Sequence, residues 1–301
     1  MKIETSAEVA EALTEGRPVV ALESTIISHG LPRPDNLAAA REFEQILRDR
    51  GVTPATVAVL DGVLKAGLTD DEVQRIANED IAKLSVRDLP VAAGLGLSGA
   101  TTVAATSWIA DRAGIRVFAT GGLGGVHQGA SDTFDESADL TILGEVPITV
   151  VSAGVKSILD IGATLERLES LGVIVLGFQT NDFPSFWLTS SGFELDWSAD
   201  DAEAVAKVMA SRDDLGLVSG IIVANPLPVE KQLDPALHDA VLAQAIGEAA
   251  AQGLSGKEVT PFLLTRIVEL TGGESLAVNL ELVRNNIAVA ADIATAAAER
   301  R

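Results

Sequence analysis

A lysine, a glutamate and a run of aspartates stand where this chain could do chemistry. Lys156 follows the apolar run Ile148–Ala153 (ITVVSA) and Gly154. A lysine just beyond a buried strand is partly desolvated, and desolvation favours the neutral amine that attack on an aldehyde carbon requires. Lys83, just ahead of a glycine-rich segment, is the second lysine in such a context. A strand-end lysine also serves structural or phosphate-binding roles, so the pattern alone leaves those open. Glu23 lies at the end of the apolar run Pro18–Ser24 (PVVALES). Carboxylates at that address often act as acid or base, though a plain surface carboxylate fits the position equally well. Between Phe118 and Lys156 lie His127 and the carboxylates Asp132, Asp135, Glu136 and Asp139. Asp132, Asp135 and Asp139 are spaced about one helical turn apart. They would suit a hard cation such as Mg²⁺ or Mn²⁺ in a water-rich oxygen site, and an acidic, solvated helix start is the other reading.

Several other chemistries lack their residues. Only three histidines occur, His29, His127 and His238, and no HExxH or paired-histidine spacing exists to hold zinc. Gly121–Gly125 (GGLGG) is not GxGxxG in a βαβ setting, which removes dinucleotide binding. The Gly99–Thr102 turn (GATT), read as the start of a helix near Ala100, offers N–H groups to an anion, but no Walker lysine follows it. With no cysteine there is neither a disulfide nor a thiolate. A sugar-phosphate sensor without turnover is the non-enzymatic reading.

The elements that must hold these residues are legible from composition and pattern. The chain has 301 residues, 47% apolar but only 4% aromatic, so Ala, Val, Leu and Ile must build the core. That composition suits buried parallel strands covered by Ala-rich helices. Strands are expected at 18–24, 56–62, 115–119, 148–153, 173–180 and 220–228, with a further strand after Ala82. Helices are expected at about 5–16, 37–50, 69–78, 100–114, 157–172, 200–211, 234–252, 257–270 and 276–299. The aromatic-rich loop Asn181–Trp197 could be a lid, a subunit contact or a satellite cluster at one edge. The expected fold is a single α/β domain over 1–301: a mostly parallel central sheet flanked by helices, an α/β/α sandwich, with a helical C-terminal portion. A formal charge of −21 disfavours nucleic acid and membrane surfaces as partners. The absence of cysteine, of an apolar leader and of a long apolar run fits a cytoplasmic protein.

The ordered blocks ALESTIISHGLP (Ala21–Pro32), KLSVRDLP (Lys83–Pro90), GATTVAAT (Gly99–Thr106), FATGGLGGVHQGA (Phe118–Ala130), FDESADL (Phe134–Leu140), AGVKSILD (Ala153–Asp160), GFQTNDFPSF (Gly177–Phe186) and VANPLP (Val223–Pro228) cover nearly the whole chain. Together they resemble the pseudouridine-5′-phosphate glycosidase family. The resemblance implies reversible cleavage of the C–C glycosidic bond of pseudouridine 5′-phosphate to uracil and ribose 5-phosphate. Carbon is a poor leaving group for the two-carboxylate route of ordinary glycosidases; opening the ribose and holding C1′ as an iminium on lysine supplies an electron sink. The resemblance implies Lys156 as nucleophile, Glu23 as the acid at the ring oxygen and Asp135 as the Mn²⁺ position with water completing its shell. Lys83, Val103 and Ser137, Ala138 and Asp139 fall on substrate-binding positions. His127, Thr120 and the neighbouring glycine N–H groups are candidates for the phosphate, with Asn286 a further one. Gln128 stands where a basic residue is expected, and Ser98 where Asn is expected. A homotrimer is also implied. A different Schiff-base lyase or aldolase acting on a phosphosugar is the alternative.

Overall fold

The computed structural model describes residues 3–254 and 259–300. Its strands are Glu4–Thr5 (β1), Val19–Leu22 (β2), Thr53–Leu60 (β3), Val63–Ala66 (β4), Ala82–Leu84 (β5), Gly99–Thr101 (β6), Val117–Ala119 (β7), Thr149–Ser152 (β8), Ile174–Phe178 (β9), Ser198–Ala199 (β10) and Ile221–Ala224 (β11). They form one sheet in the order β1-β4-β3-β2-β7-β8-β11-β9-β10, with β6 branching from β3 and β5 pairing with β6. The sheet divides along β3. Its first half, Thr53–Thr56, runs parallel to β2, whereas Val57–Leu60 pair antiparallel with β4 and Ala58 and Val59 also with β6. Every residue of β3 is buried, as a strand covered on both faces requires. From β3 through β10 along that order, every pairing is parallel. The mostly parallel sheet flanked by helices is therefore as the alternation predicts.

The helices are Ala7–Thr14 (α1), Asp35–Asp49 (α2), Asp70–Asn78 (α3), Leu89–Leu95 (α4), Val103–Ala113 (α5), Ala130–Thr133 (α6), Ala138–Leu143 (α7), Ile161–Ser170 (α8), Ala202–Asp214 (α9), Pro235–Ala251 (α10), Val259–Leu270 (α11) and Glu274–Ala298 (α12). α5 packs against β2, β3 and β4 and against α7. α12 packs against β2, β7 and β8 and against α2 and α9, so the C-terminal helical portion contributes a layer of the sandwich. Among the described residues no helix is long and apolar enough to cross a membrane.

β1, β4, β10, α4, α6 and α7 are not among the expected elements, and the strand expected at 56–62 is β3 at 53–60, with Asp61 and Gly62 in the turn to β4. Three further stretches differ in a way that bears on the site. The Gly99–Thr101 segment is not a helix-opening turn but strand β6, paired with β3 and β5; α5 starts at Val103, capped by the Thr102 hydroxyl accepting from Ala105 N. α8 starts at Ile161 because Asp160 caps it, and its amide goes to Val126 O instead. The aromatic loop turns its bulk inward: Phe183, Phe186 and Trp187 join the main core, and the Trp187 indole donates to Ser275 O and Asn279 Oδ1. Of its aromatic side chains, Phe193 and Trp197 stay exposed. The expected start of the eleventh helix at Lys257 lies outside the described residues.

Candidate active site

Strand register sets the first pair of groups. β2 and β7 run in parallel with Leu22 opposite Ala119, so the next residues, Glu23 and Thr120, stand side by side at the carboxyl ends. The Thr120 hydroxyl donates to Glu23 Oε1, and the Thr25 hydroxyl donates to Oε2. β8 pairs with β7 on its other side, Ala119 opposite Val151. Past the strand ends the two loops stay hydrogen-bonded: Ala153 N to Gly121 O at 2.9 Å, Leu123 N to Gly154 O at 3.0 Å and Lys156 N to Leu123 O at 3.2 Å. These contacts fix the backbone from which the Lys156 side chain, half-buried, projects. Gly154 has φ 76, and a Cβ there would lie 2.3 Å from Pro184 O. Only glycine fits that approach.

The glycine-dense loop is tightly packed. Gly122 lies under Phe186, Gly124 under Ser137 and Asp139, and Gly125 under Thr164, each leaving less than 3 Å for an added Cβ. Part of its backbone is committed to protein. Gly124 N donates to Asp139 Oδ2 at 2.8 Å, and Val126 N to Thr164 Oγ1 at 2.9 Å. Asp139 is buried, and its Oδ1 accepts Ala104 N, at the first turn of α5, at 2.8 Å. One carboxylate therefore joins α5, α7 and the glycine loop. Ser137 caps α7 through Asp139 N, Ala138 is the first residue of that helix, and Val103 is the first of α5 and buried.

The charged groups meet at Lys83. Burial and the Lys156 ammonium push its pKa down, while Glu23 and Asp139 push it up. Lys83 is solvent-exposed on β5, yet enough protein surrounds it for burial to lower its proton affinity. His29, on the turn after Glu23, is pushed down by burial and by the same Lys83. The structure thus brings Glu23, Lys156, Lys83 and Asp139 together, with Thr120 beside them.

The remaining candidates fall around this group. His127 N donates to Asp135 O at 3.0 Å, and its Nδ1 lies 3.9 Å from Asp135 Oδ2. The three-carboxylate cation site read from spacing does not form. Asp132 is exposed on α6, the left-handed Phe134 (φ 56) breaks the helical path, and Asp139 spends both oxygens on backbone amides. Among the described residues no three His, Cys, Asp or Glu side chains converge on a cation position. Asp135 alone, partly exposed, fits a cation that retains most of its water. Asn286 is fully buried on α12; its amide donates to Thr120 O at 2.8 Å and Gly121 O at 3.2 Å and accepts from Asn225 at 2.9 Å. Ser98 is away from the group, bonded to the Asp61 turn, and Gln128 is exposed. Sequence reasoning missed Thr25; its only signal was a hydroxyl two residues after Glu23.

The indigoidine synthase A-like family model matches residues 8–296. A pseudouridine-5′-phosphate glycosidase of Frankia alni is 61% identical over 98% of this chain and 82% of its own length. One of Salinispora tropica is 60% identical over 98% of this chain and 91% of its own. Among solved structures, an indigoidine synthase A-like protein from Thermotoga maritima superposes with TM-score 0.88 at 37% identity, covering 97% of this chain and 95% of that one. The prealnumycin C-glycosynthase AlnA in complex with ribulose 5-phosphate superposes with TM-score 0.92 at 35% identity, covering 99% and 97%. The chain belongs to the family of pseudouridine-5′-phosphate glycosidases and indigoidine synthase A-like proteins.

Proposed function

We propose that this protein is a pseudouridine-5′-phosphate glycosidase, reversibly cleaving the C–C bond between uracil and ribose 5-phosphate through a Schiff base on Lys156. The observation that carries the reading is the Lys156–Lys83–Glu23–Asp139 cluster at the sheet's carboxyl edge, in a chain 61% identical to a protein of that name. In the cleavage direction Glu23 gives a proton to the ring oxygen as the C1′–O4′ bond breaks, and Lys156 Nζ bonds to C1′. The new ammonium returns a proton, which is the equivalent that uracil C5 takes up. The C1′–C5 bond then breaks with its electron pair on C5, while the nitrogen lone pair closes a C1′–N iminium. Water releases ribose 5-phosphate and restores the amine. Lys83, the second cation of the cluster, is suited to an anionic substrate. The neighbouring Lys156 charge lowers the proton affinity of Lys83 itself.

His127, with its ring facing Asp135, is proposed to contact the phosphate. Val103, Ser137, Ala138 and Asp139 are proposed to shape the substrate pocket, and Thr120 and Asn286 its floor. Asp135 is proposed to hold Mn²⁺, which supplies positive charge beside an anionic substrate. The homotrimer is likewise proposed, and light scattering of the purified protein tests it. The solved C-glycosynthase with its pentose phosphate supports the same reaction class, and an aldolase would share Lys156 but not the nucleobase.

Borohydride trapping with ribose 5-phosphate, uracil and Mn²⁺, followed by peptide mass mapping, tests the proposal. A pentose-phosphate adduct on Lys156 is expected, absent in Lys156→Ala, with pseudouridine 5′-phosphate forming in an untrapped sample. Ligand binding without an adduct on any lysine would sink the Schiff-base route.

A further inference from the structure

Both oxygens of the Glu23 carboxylate accept a threonine hydroxyl, and the two threonines arrive by different routes. Thr120 is delivered by the β2–β7 register. Thr25 is delivered by a π-helical turn, Ile26–Gly30, for which it is the N-cap with φ −63° and ψ −30°. Isolated π turns are rare and concentrate at functional sites. This one folds the Thr25 side chain back on to the carboxylate two residues earlier. Its base is firmly held: Ile27 N and Ser28 N donate to Ser24 O at 3.0 and 3.1 Å. The Ser24 hydroxyl donates to Val57 O at 2.6 Å and accepts Thr101 N at 2.9 Å. Thr25 itself is 9% exposed, so its hydroxyl has little water to turn to.

A glutamate carboxylate rotates freely about its last bond, and one donor on each oxygen removes that freedom. A hydroxyl can donate to a carboxylate and accept from a carboxylic acid, so the same contact serves Glu23 before and after it releases a proton. We propose that Thr25 is a positioning residue for Glu23, fixing the plane from which the proton reaches the sugar ring oxygen. The inference rests on the reading of Glu23 as that proton donor. Thr25 touches no reacting atom; its effect is confined to steps in which the ring oxygen is protonated or deprotonated.

Borohydride trapping on Lys156 separates this role from a general one. Ribose 5-phosphate must open its ring before the lysine can hold it, whereas erythrose 4-phosphate cannot close a furanose ring and needs no such proton. Thr25→Val should slow trapping of ribose 5-phosphate by about ten- to a hundredfold, the range for losing a hydrogen bond to a charged group. Trapping of erythrose 4-phosphate should stay within about twofold by the same reasoning. In steady-state cleavage the loss should fall on kcat with KM little changed. Should Thr25→Val fold poorly, the pair Thr25→Ser and Thr25→Ala gives the same contrast: Ser keeps the hydroxyl and should restore the ribose 5-phosphate rate, Ala should not. Equal slowing with both sugars, or no slowing with either, overturns the role of Thr25. Glu23→Gln separates the premise: wild-type trapping of ribose 5-phosphate by that variant would remove Glu23 as the donor. Selective slowing in Glu23→Gln without any in Thr25→Val would remove the clamp alone.

Discussion

Lys83 loses proton affinity chiefly to burial and then to Lys156. Removing the Lys156 charge removes the second cause and leaves the first. In Lys156→Met the Lys83 titration should therefore move up towards, without reaching, the ordinary lysine value of about 10.4. NMR of ¹³C-labelled lysine ε-carbons across pH 7 to 11 reads this directly; an unmoved titration would mean the two ammonium groups do not feel each other. At this scale the sequence was informative where chemistry follows from position. Lys156 and Glu23 stood out because each ends an apolar run. Asp139 stood out as a carboxylate, but its task of joining three backbone segments depends on loops that approach only in three dimensions. Thr25 was invisible because a π turn leaves no periodicity to read.

The elements were legible in proportion to their length. β3 and the long helices carried clear patterns, whereas β6 (Gly-Ala-Thr) has no alternation, and α4 is only seven residues long. The Asp61–Gly62 pair between β3 and β4 takes left-handed φ values of 51° and 80°, the two-residue hairpin geometry that turns the sheet antiparallel here. That turn carries a surface ion pair. Arg75 first, then the Ser98 hydroxyl, hold the Asp61 pKa down at about 2. A depressed carboxylate contributes stability above its unfolded value of about 3.9 and loses it as pH falls. Asp61→Asn, which tolerates the same backbone, should be less stable than wild type at pH 5. The two denaturant midpoints should converge as pH falls from about 4 to about 2, the window between the unfolded and folded values. A gap that persists at the acid end would assign the loss to geometry instead of charge.

For the whole molecule the governing quantity is a net charge of −21. Self-repulsion of that size opposes the compact state, and salt screens it over about 10 Å at 0.1 M. The thermal midpoint should rise as sodium chloride increases from about 10 to about 300 mM, and kcat/KM for a phosphorylated substrate should rise with it. A flat or falling midpoint would show that the local ion pairs, such as Arg75 with Asp61, outweigh the overall repulsion. The architecture was readable at this scale, since composition and alternation point to a mostly parallel α/β sandwich. What they could not give is that the last helix lies on β2, β7 and β8 and not above them.

That placement has a consequence for how the protein is made. Asn286 ties the end of β11, through Asn225, to the Thr120–Gly121 backbone beside Glu23. A nascent chain that has already emerged as far as β11 still lacks this brace: Gly121 O keeps its bond from Ala153 N, but the Thr120 carbonyl lacks the Asn286 amide. The proposed proton donor, Glu23, near the amino end of the chain, must then wait on the ribosome for a residue synthesised some 260 positions later. Competence would arrive late and all at once, so translation stalled before α12 should yield protein with most of its sheet and none of its activity.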